Sequence, residues 1–70
     1  MEELFPNVPN YVRRQTEFWV DIASRANSLI EALNIIKNYL DTLDNEENKD
    51  YVMFAFTIKM ESIRNESNND

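Results

Sequence analysis

Cysteine and histidine are both absent from this sequence of 70 residues. Their absence excludes disulfides, thiolate metal sites and imidazole metal sites, so that only carboxylates could hold a metal. Small domains usually gain stability from a disulfide, a structural metal or self-association. Self-association is therefore the kind of support that we expect for this chain.

Glycine is absent as well, and the only prolines, Pro6 and Pro9, lie near the start of the sequence. Without glycine, neither type of glycine-rich phosphate loop can form. A small sheet protein also needs tight turns, which usually contain glycine, proline or an Asn-Gly pair. The composition therefore predicts one small domain of all-α fold.

Basic residues are few: 7 lysines and arginines stand against 13 acidic residues, giving a net charge of −6. Nucleic-acid binding needs a basic stripe or patch. The only adjacent basic pair is Arg13-Arg14, and Glu17 follows one helical turn after Arg13. We therefore expect no direct contact with nucleic acid, while an acidic surface that imitates nucleic acid stays open.

Long apolar runs are also missing from the sequence. No stretch approaches the ~18 apolar residues that a membrane-spanning helix needs, so we expect no membrane partner. The start, Met1-Glu2-Glu3, lacks the positive charge and the apolar run of a secretion signal. We therefore expect the protein in the cytoplasm.

Residues 1–9 are predicted to form an extended amino-terminal arm. Each proline in this segment pushes the residue before it out of the α region, so a regular helix cannot start here. Asn10 is a suitable N-cap for a helix that follows. Asn7 is the alternative cap, with Pro9 inside the first turn.

After the arm, apolar residues recur at alternating intervals of four and three. This pattern predicts one helix over residues 10–43, roughly 50 Å long, with the seam of a coiled coil or tight bundle. Phe18, Ala23, Ile30 and Ala32 widen the seam, which indicates packing against more than one neighbour. The seam consists of two series: Val12, Trp19, Ala26, Leu33 and Leu40, and Gln15, Ile22, Leu29, Ile36 and Leu43.

The opposite face of this predicted helix is polar. Opposite charges stand four residues apart on it, a spacing that stabilises a helix by a few tenths of a kcal/mol per pair. We interpret this face as solvated. The pairs are Arg13–Glu17, Asp21–Arg25 and Lys37–Asp41.

A break near Asn27 is the alternative to one continuous helix. Ser28-Leu29-Ile30-Glu31 matches a capping box, so a new helix could begin at Ser28. We favour the continuous helix, because the seven-residue repeat keeps its phase through this segment. If the helix does break, a three-helix monomer could cover Trp19.

Residues 41–50 are acidic and predict a polar turn with a helix cap. Asp44-Asn45-Glu46-Glu47 provides a cap residue followed by Glu three positions later. A calcium loop is excluded, because it needs alternating oxygen ligands and a glycine. A second helix over residues 46–64 and a disordered tail over 65–70 are predicted to follow.

The stretch YVMFAFTIKM, residues 51–60, is the most apolar part of the chain. It could form a strand, but only in a two-stranded ribbon across a dimer, and such isolated ribbons are weak. At 100° per residue it forms two apolar stripes on nearly opposite sides of a helix. We assign the first stripe to packing on the first helix and the second to a partner. The first consists of Val52, Met53, Phe56, Met60 and Ile63, and the second of Tyr51, Phe54, Ala55 and Ile58.

The two predicted helices differ in length, since the second spans roughly 28 Å. A hairpin domain of residues 10–64 would then leave part of the first helix and the second stripe uncovered, which is too much apolar surface for a soluble monomer. We therefore predict that two hairpins pair into a four-helix-bundle homodimer. The candidate interaction residues are Phe18, Trp19, Ile22, Tyr51, Phe54, Ala55 and Ile58.

The sequence offers little for catalysis. General base and nucleophile roles would fall to Asp, Glu, Lys, Ser, Thr or Tyr, and no carboxylate lies within an apolar helical stripe. We expect no catalytic, cofactor-binding or metal-binding residue. The sequence favours a non-enzymatic interaction module, an adaptor, regulator or inhibitor that also binds itself. An acidic inhibitor that imitates nucleic acid and a purely structural self-assembling unit are the alternatives.

Overall fold

The computed structural model describes the backbone of residues 4–68 and the side chains of residues 4–64. Within these residues the regular structure is helical throughout: α1 (Asn10–Ser24), α2 (Leu29–Leu40) and α3 (Glu46–Asn68). The predicted all-α class is confirmed. None of these helices, over the part of the chain described, has the length and apolar character needed to cross a bilayer.

The single helix predicted over residues 10–43 is wrong, because α1 ends at Ser24. The amides of Arg25 and Ala26 each donate to a carbonyl three residues back, at 3.1 Å, which closes α1 with a tight final turn. The predicted two-helix hairpin is wrong for the same reason. The four-helix-bundle homodimer, which rests on pairing two such hairpins, is not confirmed.

Ser28 starts the next helix. Its backbone is extended, with φ −149° and ψ 161°, and its Oγ accepts a hydrogen bond from the amide of Glu31 at 3.1 Å. This bond satisfies one of the amide groups that a helix leaves without an internal partner at its amino-terminal end. The capping box therefore marks a real helix start, and the chain adopts the three-helix alternative.

The chain turns back at this break because doing so buries apolar side chains on α1 and α2. Ala23 of α1 and Ala32 of α2 are only 1% and 2% exposed, and their small size lets the two helices approach closely. Ile36 and Tyr39 of α2 are buried with them. A continuous helix would hold Ala23 and Ala32 roughly 13 Å apart along its axis, so the break is what lets α1 and α2 bury these residues against each other.

Replacing Ser28 with alanine should destabilise the domain by about 1 kcal/mol, because the Glu31 amide loses its side-chain acceptor. Urea unfolding followed by circular dichroism measures this change. Ser62→Ala is the matched control, since Ser62 is exposed within α3 and alanine is the better helix former there. Equal stability of the two variants would contradict a capping role for Ser28.

The core forms around α1, which packs against both α2 and α3, whereas α2 and α3 contact each other only slightly. The domain is flat, with principal dimensions of 38 × 31 × 16 Å. A flat arrangement of three helices leaves each helix with a broad exposed face. The buried side chains are those of Val8, Val12, Thr16, Val20, Ala23, Ala32, Ile36, Tyr39, Val52 and Phe56.

Thr16 is the polar member of this core, and its hydroxyl is satisfied there. Thr16 Oγ1 lies 3.3 Å from the Tyr39 hydroxyl, which in turn donates to the carbonyl of Val12 at 3.4 Å. The buried polar atoms of α1 and α2 therefore hydrogen-bond to each other.

The buried face of α1 differs from the predicted seam. Thr16 and Val20 are buried, whereas Gln15 is exposed and Ile22 is half-buried. The predicted seam assumes that α1 packs along a single stripe of its surface. In the structure α1 packs against two helices, α2 and α3, which contact each other only slightly. The core side of α1 is therefore turned toward Thr16 and Val20.

The first predicted stripe of α3 faces the core in part. Val52 and Phe56 are 0% and 5% exposed, and Met60 and Ile63 are half-buried. Met53 is 42% exposed, so its assignment to the core is wrong. It lies on the flank of α3, to one side of the helices that cover Val52.

Asn45 caps the start of α3. Its Oδ1 accepts hydrogen bonds from the amides of Glu47 and Asn48, at 2.8 and 3.2 Å. The predicted start of this helix at residue 46 is confirmed, but its cap is Asn45 and not Asp44, the residue that stands three positions before Glu47.

The carboxyl-terminal end of α3 lies beyond its predicted position at residue 64. The helix continues to Asn68, because no glycine or proline follows to interrupt it. Residues 65–68, which the prediction placed in a disordered tail, have helical backbone, and residues 69–70 of that tail lie outside the described residues.

Candidate interaction surface

A groove of about 460 Å³ runs between α1 and α3. The amino-terminal ends of these helices lie together, because Asn7, before α1, donates its backbone amide to the Glu47 carboxylate at 3.1 Å. The two helices therefore form its walls side by side. We call this feature the α1–α3 groove; its apolar lining comes from Val20, Tyr51, Phe54, Ala55 and Ile58.

The second predicted stripe of α3 lines this groove. Phe54 and Ile58 remain 41% and 51% exposed, while Tyr51 and Ala55 are half-buried. The structure thus brings these four candidate residues to one surface, as their helical spacing predicts. Two large apolar side chains are therefore exposed within one concave surface.

The amino-terminal arm covers one end of the stripe from within the chain. The Phe5 ring lies 5.6 Å from the Tyr51 ring, edge to face, and 5.5 Å from the Phe54 ring. The arm was predicted only as an extended segment, and its residues 1–3 lie outside the described residues. Apolar Phe5 beside Pro6 was the signal that it could pack on the domain.

Arg13 holds the arm in this position. Its Nε donates to the carbonyl of Val8 at 3.2 Å, and its Nη2 donates to the carbonyl of Phe5. The guanidinium carbon lies 5.1 Å from the centre of the Tyr51 ring, within the range of a cation–π contact. One side chain therefore ties the arm to both α1 and α3.

Two of the three predicted ion pairs form. Asp21 pairs with Arg25, and Lys37 pairs with Asp41 at 3.4 Å. Arg13–Glu17 is not among the ion pairs of the described residues, because Arg13 turns toward the arm. These exposed pairs contribute little to stability.

The two walls of the α1–α3 groove carry charges of opposite sign. Glu17 and Asp21 lie on the α1 side, and Lys59 lies on the α3 side. Among the described residues, neither Glu17 nor Lys59 has an ion-pair partner. The groove therefore has an apolar floor between an acidic edge and a basic edge.

The remaining candidate residues lie elsewhere. The Trp19 ring stacks 6.2 Å from the Tyr39 ring, which places half-buried Trp19 against the core between α1 and α2. Phe18 is 58% exposed and meets Trp19 edge to face at 5.3 Å. Ile22 is half-buried. None of these three lines the α1–α3 groove, so the predicted set divides between two faces.

The described part of the chain has only carboxylates as candidate metal-binding side chains, since histidine and cysteine are absent. Its carboxylates form no group of three or more that could hold a metal ion. Every buried polar side-chain atom among these residues has a hydrogen-bond partner. The α1–α3 groove therefore combines apolar area and a concave shape with charged side chains at its edges.

No protein-family model matches this sequence, and comparisons with curated proteins and with solved structures give no match either.

Proposed function

We propose that this chain is a non-enzymatic protein–protein interaction module that binds an apolar helical surface in the α1–α3 groove. The observation that carries the proposal is the exposure of Phe54 and Ile58 within one concave, helix-walled surface. A helix that lies between two others packs its side chains into the groove they form. An adaptor, regulator or inhibitor could use such a surface.

The small core adds support. A domain of this size buries little apolar area of its own, and burying Phe54 and Ile58 against another chain would extend its core. The groove edges are polar, and a polar rim around an apolar centre is the usual arrangement of a protein interface.

The acidic segment, residues 41–50, supports the alternative that the chain imitates nucleic acid less well than the α1–α3 groove supports an interaction module. Three of its carboxylates already have partners within the chain. Asp41 pairs with Lys37, and Glu46 pairs with Lys49 at 3.6 Å. Glu47 accepts hydrogen bonds from Asn7. A phosphate mimic needs carboxylates that are free to meet a basic binding site, and half-buried Glu47, which holds Asn7, is the least available of the three.

Ile58→Asp should abolish binding of the partner protein. Binding would bury the new carboxylate on the groove floor, and burying a charge is costly when no opposite charge or hydrogen bond compensates it. The measurement is capture of bound proteins from the native host by the tagged chain, compared between variants. Ile30→Asp is the matched control, since Ile30 is 69% exposed on α2, away from the groove. A bound protein retained by Ile58→Asp and lost by Ile30→Asp would contradict this assignment.

A further inference from the structure

The charge distribution of the α1–α3 groove identifies a partner of matching pattern. Lys59 on α3 and Glu17 on α1 face the same groove from opposite edges, and neither has an ion-pair partner among the described residues. A partner that complements this surface must carry an acidic edge opposite Lys59 and a basic edge opposite Glu17. The same groove on a second copy of the chain carries both an acidic edge and a basic edge.

We propose that the groove binds a second copy of the same chain, with α3 of each copy lying over α1 of the other. This proposal rests on the proposed function and names the partner for its surface. A two-fold axis makes such a contact self-complementary, since each residue pair occurs twice. Lys59 of each copy then meets Glu17 of the other, and Phe54 and Ile58 of each copy enter the opposite groove.

The charges also select this crossed arrangement over the other two-fold packing. If α1 lay over α1 and α3 over α3, about an axis through the middle of the groove, Glu17 would lie close to Glu17 of the second copy and Lys59 close to Lys59. Like charges placed across an interface oppose association and disfavour that register. The crossed arrangement replaces both repulsions with attractions.

Charge reversal tests the arrangement. Lys59→Glu and Glu17→Lys should each weaken self-association about tenfold, because each creates like-charge contacts twice per dimer. An equimolar mixture of the two variants should restore association close to that of the unaltered chain, because one copy then carries acids on both edges and the other carries bases. Analytical ultracentrifugation from micromolar to millimolar concentration measures all four samples.

Lys37→Glu is the net-charge control for Lys59→Glu, because it changes the charge by the same amount at an exposed position on α2. It should change self-association less than about twofold, since exposed charges contribute little at a distance. Recovery in the mixture together with an unaffected control supports the crossed dimer. A monomer across the whole concentration range, unchanged association of the single variants, or a mixture that fails to recover overturns it.

The same samples separate this proposal from the proposed function. If the chain is monomeric but captures another protein through Ile58, the second-copy proposal is overturned and the interaction module stands. If Ile58→Asp associates as strongly as the unaltered chain and loses no captured protein, both are overturned. Loss of self-association in Ile58→Asp, with recovery in the charge-reversed mixture, supports both.

Discussion

Phe56→Ala is expected to unfold most of the protein at 25 °C. Phe56 is 5% exposed and belongs to the core cluster with Ile36 and Val52. Truncating a buried phenylalanine costs about 3–5 kcal/mol, and the core of so small a domain rarely supplies more than about 3–5 kcal/mol in total. Circular dichroism at 222 nm and urea unfolding measure the remaining helix and its stability.

Phe54→Ala is the matched control, because the same residue type lies two positions away on the same helix. Phe54 is 41% exposed, and its ring packs against the Phe5 ring at 5.5 Å. Losing such an aromatic pair costs about 0.5–1.5 kcal/mol, so this variant should stay folded. Similar losses in the two variants would contradict the observed packing of α3 on α1.

Arg13→Ala should lower the free energy of unfolding by about 1–3 kcal/mol and release the arm. The guanidinium donates to the carbonyls of Val8 and Phe5 and lies over the Tyr51 ring, and charge-assisted hydrogen bonds are stronger than neutral ones. Hydrogen exchange gives a local measurement. The amide of Val8, which donates to Phe5 at 3.3 Å, should exchange faster in the variant.

Arg14→Ala controls for the loss of one positive charge, because Arg14 is exposed beside Arg13 on α1. It should change stability by less than about 0.5 kcal/mol. Arg13→Lys should not restore the arm, since a single ammonium does not reproduce the planar fork that reaches two carbonyls. An arm equally protected in Arg13→Ala would show that its apolar contacts suffice to hold it.

The fold class could be predicted because absent residues constrain local structure strongly. Without glycine the chain has few routes to a small sheet, and the acidic segment Asp44-Asn45-Glu46-Glu47 marks the start of α3 in the sequence itself. The break after Ser24 was harder, because the seven-residue repeat continues across it. That repeat is equally compatible with α2 folded back on α1, since both helices need an apolar side for the same core.

The groove could be predicted only in part, because helical spacing is visible in the sequence but the placement of one helix beside another is not. Tyr51, Phe54, Ala55 and Ile58 share one side of a helix by spacing alone, so their common surface follows from the sequence. The placement of Glu17 and Lys59 on opposite edges of one groove does not follow from the sequence, because it depends on α1 and α3 lying side by side. Long-range placement of that kind carries no local signal in a single sequence.

The central position of α1 has a consequence for how the domain opens. Since α2 and α3 contact each other only slightly, α3 meets the rest of the domain mainly through α1 and the arm. Partial opening can therefore remove α3 as one cooperative unit while α1 and α2 keep their contact. The slowest hydrogen exchange then belongs to the amides of α1, and α2 and α3 can each open without the other.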